Sequence, residues 1–270
     1  MNYKKRYVNP KIRKLKPKKK IWKKPFFWIV IVFIVAISSF CFVLFYPAIQ
    51  ISDIEISGNQ KIKTQDIENE VMSLVNKKLI NLGFLNVSSK SILLASTGNI
   101  ENKITENFPE VKSVQVKKEF LNKIIVSIEE RGATAVFCNS STDCFLLDRD
   151  GVVFEKAMQI PDDLPVLSKQ YFEIGVSLGD NVIPKETVDL IYKVQHNLKD
   201  DLNIDIKEVL VSNPIIFKTS EGWSIYFDPD LSADSQITKM NILLKNEISA
   251  EERNNIQYIY LQYKDRAYYK

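Results

Sequence analysis

The sequence predicts an α+β ectodomain behind a single N-terminal transmembrane helix, in two parts: a β-α-α-β-β domain and then a mixed β/α domain. Three observations carry this. Phe26–Tyr46 runs for 21 residues without a charged residue, a Pro or a Gly. Beyond it, alternating strands and helix-spaced apolar stripes recur in the order strand, helix, helix, strand, strand over residues 51–131. From residue 132 to 270, short strands are interleaved with two longer helical stripes.

The apolar run reads as one membrane span. At about 1.5 Å per residue it crosses a hydrocarbon core of about 30 Å without bending. It is longer than the apolar region of a cleaved signal peptide, and Tyr46-Pro47-Ala48 is a poor small-residue cleavage site, so the segment is expected to be a retained anchor. Residues 1–25 carry twelve Lys or Arg and no acidic residue, which predicts a cytoplasmic N-terminus and an extracytoplasmic C-terminal part. The rest of the chain holds 25 basic against 33 acidic residues, a net −8, so the overall charge of +4 belongs to the tail. That tail, with three prolines and little to bury, is expected to be disordered and to attract anionic inner-leaflet lipids. Nucleic-acid binding is not expected of a basic tract tethered to a membrane.

In the first domain, 51–131, Ile54 and Ile56 alternate with Asp53 and Glu55, and Gly58-Asn59 turns the chain. A helix is expected from Thr64, read as its N-cap, with Ile67, Val71, Leu74 and Val75 on one face. Leu79–Ser96 reads as an irregular connection. A second helix carries Ile100, Ile104 and Phe108 and stops at Pro109. Two strands follow, one with Val114 and Val116, the other with Ile124, Val126 and Ile128 facing one way. The helices must then cover one face of a three-stranded sheet.

In the second domain, 132–270, Ala133–Asn139 and Cys144–Asp148 read as strands around a polar turn, with a second turn at Asp148-Arg149-Asp150-Gly151. Cys138 and Cys144 flank the first turn. In an oxidising exterior they either pair across the hairpin or remain two thiols, and spacing alone does not decide which. Pro184 is expected at the first helical position before a stripe of Val188, Ile191, Val194 and Leu198. Strands follow at 209–211, 215–219 and 223–227, then a helix with Ile237, Met240, Leu244 and Ile248. The chain closes with a strand over Ile256–Tyr263, a turn at Lys264-Asp265 and a last strand over Arg266–Tyr269.

The residues resemble a known family. Ser57-Gly58-Asn59 after an alternating strand, Phe108-Pro109-Glu110-Val111-Lys112-Ser113-Val114, and Ile125-Val126-Ser127-Ile128-Glu129-Glu130-Arg131, all behind one anchor, resemble the FtsQ-type POTRA domain of the bacterial division family FtsQ/DivIB. POTRA domains also occur in outer-membrane assembly proteins, but no run of barrel strands follows here. Tyr258-Ile259-Tyr260-Leu261-Gln262-Tyr263 is similar to a Tyr-Ile-Asp-Leu-Arg-Tyr pattern near that family's end, with Tyr260 and Gln262 in place of its Asp and Arg. The resemblance implies a single-pass cell-membrane protein of the division septum. It also implies binding of FtsB/DivIC and FtsL homologues and regulation of septal peptidoglycan synthesis without catalysis, cofactor or small-molecule substrate.

The residues themselves offer little chemistry. The one His, His196, falls off the apolar stripe of its helix, so no Ser-His-Asp or Cys-His arrangement can form around it elsewhere. Phosphate-loop, dinucleotide and zinc spacings are missing. Glu129 and Glu130 point to opposite faces of a strand, and Asp200-Asp201 closes a helix. Lys112, Lys117 and Lys118 form an exposed basic face. Function is therefore expected at the C-terminal strand, where Tyr263, Arg266, Ala267, Tyr268 and Tyr269 either accept an added partner strand or merely close the core. The resemblance favours the partner. The rival classes are a POTRA-bearing envelope enzyme, a cell-wall binder and a protein-translocation helper.

Overall fold

The structure, a computed structural model, describes residues 25–81, 86–119, 121–140, 142–170 and 175–270. The expectations for the basic tail fall on residues outside these. Helix α1, Pro25–Phe45, is long and apolar enough to cross a membrane, starts one residue earlier than the apolar run and leaves Tyr46 outside. Leu44 is its one buried residue. A 3-10 turn, Pro47–Ile49, leads into the first α+β unit.

That unit contains β1 (Asp53–Ser57), α2 (Thr64–Val75), α3 (Thr97–Asn107), β4 (Val111–Glu119) and β5 (Lys123–Glu130), with a further pair, β2 (Lys77–Asn81) and β3 (Asn86–Ser89), between the helices. Its main sheet has the order β1-β5-β4, with β1 parallel to β5 and β4 antiparallel to it. Ile67, Val71, Val75, Ile100 and Ile104 pack with Ile124, Val126, Ile128, Val111 and Val116 in one core. Gly58 is required: its φ is +88°, and a Cβ there would meet the Ile128 carbonyl oxygen at 2.0 Å.

Two expectations change here. The connection Leu79–Ser96 is not wholly irregular: β2, which begins two residues before it at Lys77, pairs antiparallel with β3, with a register shift between Lys78 and Ile80. That shift breaks the polarity alternation that would have announced a hairpin. Thr64 is the first residue of α2 rather than its cap. Lys63 holds the cap position, and the Thr64 hydroxyl instead accepts a hydrogen bond from the Asn59 side chain at 3.0 Å.

The second unit is a nine-stranded sheet among the described residues, built from β6 (Ala135–Cys138), β7 (Cys144–Leu147), β8 (Val153–Lys156), β9 (Val166–Lys169), β10 (Ile206–Val211), β11 (Ile215–Thr219), β12 (Ser224–Phe227), β13 (Tyr258–Tyr260) and β14 (Tyr268–Tyr269). The order is β14-β13-β12-β11-β10-β9-β6-β7-β8. Between β9 and β10, which run parallel, α4 (Lys185–Leu202) crosses the sheet. Between the parallel β12 and β13 lie α5 (Ala233–Ile242), a π-helical turn Leu243–Glu247 and α6 (Ala250–Arg253). Pro184 caps α4 instead of opening it. The π turn keeps Leu244 and Ile248 buried beside Ile237 and Met240, so one apolar stripe survives a change of helix type.

The units meet at Arg131. Its guanidinium donates to the Pro109 carbonyl at 3.1 Å and to the Asp148 carboxylate, in a pair whose side chains are only 13% and 4% exposed. The other Asp148 oxygen accepts from the N–H groups of Asp150 and Val152, closing the turn before β8. In that turn Gly151 has φ +83°, and a Cβ would lie 1.8 Å from the Ile183 carbonyl oxygen. The neighbouring Glu130 carboxylate takes the N–H groups of Gln60, Lys61 and Ile62 at 2.8 to 3.1 Å. Burial pushes this carboxyl up, but those three donors outweigh it and hold it below its ordinary value.

Candidate functional site

The C-terminal strand β14 lies at one edge of the large sheet, antiparallel to β13. Side chains directly opposite one another on paired strands share a face. The register therefore defines two rows across the sheet. Phe137, Leu167, Val209, Phe217, Ile225 and Ile259 form the first, each 0% exposed, on the face that α4 and α5 cover, and Tyr269 ends it at the edge. Leu210, Ile216, Tyr226 and Tyr260 form the second on the opposite face, half-buried, and Tyr268 ends it. Tyr268 and Tyr269 are 47% and 51% exposed, so each row stops on a half-open aromatic ring.

Aromatic contacts thicken the second row. Tyr226 and Tyr260 lie with ring centroids 4.6 Å apart, Tyr258 and Tyr260 4.5 Å apart, and Tyr263 meets Tyr268 edge-on at 5.3 Å. Burial first, then the adjoining phenols of Tyr226, Tyr258 and Tyr263, push the Tyr260 hydroxyl up. Beside Tyr269, Ile248, Ile256, Glu247 and Glu252 line a cleft of about 230 Å³.

The five predicted residues do not behave alike. Tyr263, Tyr268 and Tyr269 gather at the edge, and Arg266 donates to the Tyr268 hydroxyl at 3.3 Å. Ala267 turns inward against the core. Both terminal strands are shorter than expected: Tyr258–Tyr260 replaces Ile256–Tyr263, and Tyr268–Tyr269 replaces Arg266–Tyr269. At the C-terminal end of the first, the Lys239 ammonium takes the carbonyls of Leu261 and Tyr263 and so withdraws them from any ladder. Burial lowers the Lys239 pKa. Sequence reasoning missed Lys239 because its partners lie more than twenty residues away on another element. It also missed Tyr226, although the alternation Trp223, Ile225, Phe227 was itself a sign that Tyr226 faces the other way. Gln262, where the family pattern has Arg, buries its carbonyl oxygen without a hydrogen-bond partner among the described residues.

The other candidates stand apart. Cys138 and Cys144 face each other on β6 and β7, with Cα atoms 4.1 Å apart, and are joined as a disulfide. His196 is exposed on α4, stacked on Tyr192 and 3.0 Å from Asp200, while Asp201 pairs with Lys245. Glu129 bonds Ser113 and Lys112, away from Glu130. Lys117 and Lys118 are exposed but stand on opposite faces of β4, opposite Ile125 and Ile124, and Lys112 pairs with Glu129, so the expected single basic face does not form. No group of His, Cys, Asp and Glu that could hold a metal ion occurs among the described residues.

By class this is a two-unit α+β chain behind one helix long and apolar enough to cross a membrane, with exposed tyrosines at the edge of its larger sheet. Residues 49–131 match the family model described as POTRA domain, FtsQ-type. The chain carries that domain, which covers β1 through β5 and supports the resemblance to the FtsQ/DivIB family of bacterial cell division. No curated protein matches the chain.

Proposed function

We propose that this protein is a non-catalytic bitopic scaffold of the bacterial divisome, with its N-terminus in the cytoplasm and its two α+β units outside. It binds FtsB/DivIC and FtsL homologues at the septum and so recruits and regulates septal peptidoglycan synthesis. The observation that carries this reading is the edge at Tyr268–Tyr269, in a chain whose POTRA domain is of the FtsQ type. Outward N–H and C=O groups of a sheet edge accept a further strand, and the exposed tyrosines flanking it supply apolar area with a polar tip. The basic tail adds attraction to anionic inner-leaflet lipids.

The test is a pull-down of the FtsB/DivIC homologue by the full chain. Tyr269→Lys should reduce capture at least tenfold while melting stays within about 2 °C of the parent, since the residue is half-exposed. Undiminished capture removes the edge from the proposal. A fluorescent fusion that stays spread over the membrane through the cell cycle argues against the division role itself.

A further inference from the structure

The end of α1 is tied to the first α+β unit. The Leu44 carbonyl, which α1 itself leaves unsatisfied, accepts from the Ser89 hydroxyl at 3.0 Å and from the Gln50 amide at 2.6 Å. Gln50 in turn accepts from the Lys90 N–H at 3.0 Å. The Ile51 N–H donates to the Lys90 carbonyl and the Ile92 N–H to the Ile49 carbonyl, both at 2.9 Å. Ser89 is 2% exposed. Residues 44–51 and 89–92 are thus one bonded piece rather than a helix and a loose tether.

This fixes where β2 and β3 lie. Lys77 is directly opposite Ser89 in the antiparallel pair, and Lys78 opposite Ser88. Cα atoms so paired are about 5 Å apart. If α1 spans the bilayer, Leu44 sits at the end of the hydrocarbon, and the headgroup layer beyond it is roughly 5–7 Å deep. Lys77, Lys78 and Lys90 are then within side-chain reach of that layer, with their aliphatic stems able to lie along it. All three are exposed, and among the described residues none forms an ion pair. Lys123, by contrast, holds Asp53, Glu55 and Glu119. Leu79, 39% exposed, stands between them in sequence with no core to enter.

We infer that Lys77, Lys78, Leu79 and Lys90 form a membrane-contact surface that binds anionic lipid headgroups of the leaflet facing the α+β units. The contact orients the POTRA domain on the bilayer. It rests on the reading of Pro25–Phe45 as a membrane span.

The test uses the full chain in lipid nanodiscs, in a Cys41→Ser background, with a spin label at one introduced cysteine: Phe33→Cys, Leu79→Cys or Glu129→Cys. Collision with oxygen reports hydrocarbon, and collision with a water-soluble nickel chelate reports solvent. In phosphatidylglycerol discs the chelate should reach residue 79 about fivefold less than residue 129, and Lys77→Glu with Lys78→Glu should close that gap. In phosphatidylcholine discs the gap should shrink. Residue 79 as open to the chelate as residue 129 in both lipids, with residue 33 in hydrocarbon, overturns the surface and leaves the span intact. Residue 33 open to the chelate overturns the span, and the surface with it. A gap that persists unchanged in phosphatidylcholine overturns the choice of anionic headgroups.

Discussion

The two sheets are covered on one face by helices and differ in what the other face carries. In the small sheet the uncovered face shows Asp53, Glu55 and Ser57 on β1, Lys123, Ser127 and Glu129 on β5, and Ser113, Gln115 and Lys117 on β4, with Ile125 as its one apolar residue. Lys123 alone ties Asp53, Glu55 and Glu119 together. In the large sheet the corresponding face carries one ion pair, Glu208–Lys218, and beside it Leu210, Ile216, Tyr226, Tyr260 and Tyr268 in register. A charged face holds its own water and has nothing to gain by association. An aromatic row running to an open edge does bury apolar area on association, and the proposed partner site lies there.

Neighbouring residues on one strand sharpen the contrast most. Phe217 lies on the helix-covered face at 0% exposure, and Ile216 beside it on the other. Phe217→Ala is expected to cost about 3–5 kcal/mol and Ile216→Ala roughly 1 kcal/mol, read from urea unfolding. Equal losses would mean that the second face is a core as well, and the division between the faces would fail.

Glu130 comes next. Glu130→Gln keeps one acceptor but loses the charge that three N–H groups address, a loss of roughly 1–2 kcal/mol at neutral pH. Because its folded pKa is depressed, the contribution is present above the ordinary value of 4.5 and lost as pH falls through the lower folded value. The stability gap between parent and variant should therefore narrow in acid. A gap independent of pH would show that the Gln60–Ile62 turn is held by shape alone.

The smallest effect belongs to the charged face. Lys123→Met should leave Tm within about 2 °C, since exposed pairs are screened. The hydrogen bond to Glu55 chiefly raises the Lys123 pKa, so whatever the lysine adds is present below 10.5 and disappears as pH climbs through the raised value. A large destabilisation would place that face among the load-carrying parts of the fold and blur the difference between the sheets.

Much of this was legible in the residue order. The stripes at Ile67, Val71 and Val75, and at Val188, Ile191, Val194 and Leu198, lie on α2 and α4 with those side chains buried. Alternation at Ile124, Val126 and Ile128 marked β5 and its inward face. The β2–β3 pair was not legible, because its register shift spoils the period that sequence reading depends on. At the edge, the tyrosines announced themselves by type and position. The reach of Lys239 across to Leu261 and Tyr263, just past the end of β13, depends on tertiary placement that no local pattern encodes. The inward turn of Ala267 belongs to the same class, since a small residue in a polar run carries no sign of direction.

Asp148 has one oxygen in its own turn and the other on Arg131. The residue that shapes the start of β8 is thus also the rivet of the joint. Swinging one unit against the other would strip a nearly buried carboxylate of its counter-ion, a costly step that opposes such motion. A pull exerted on the distant edge at Tyr269 would travel as a lever's does, through the guanidinium into the Pro109 carbonyl, rather than being lost in a slack linker.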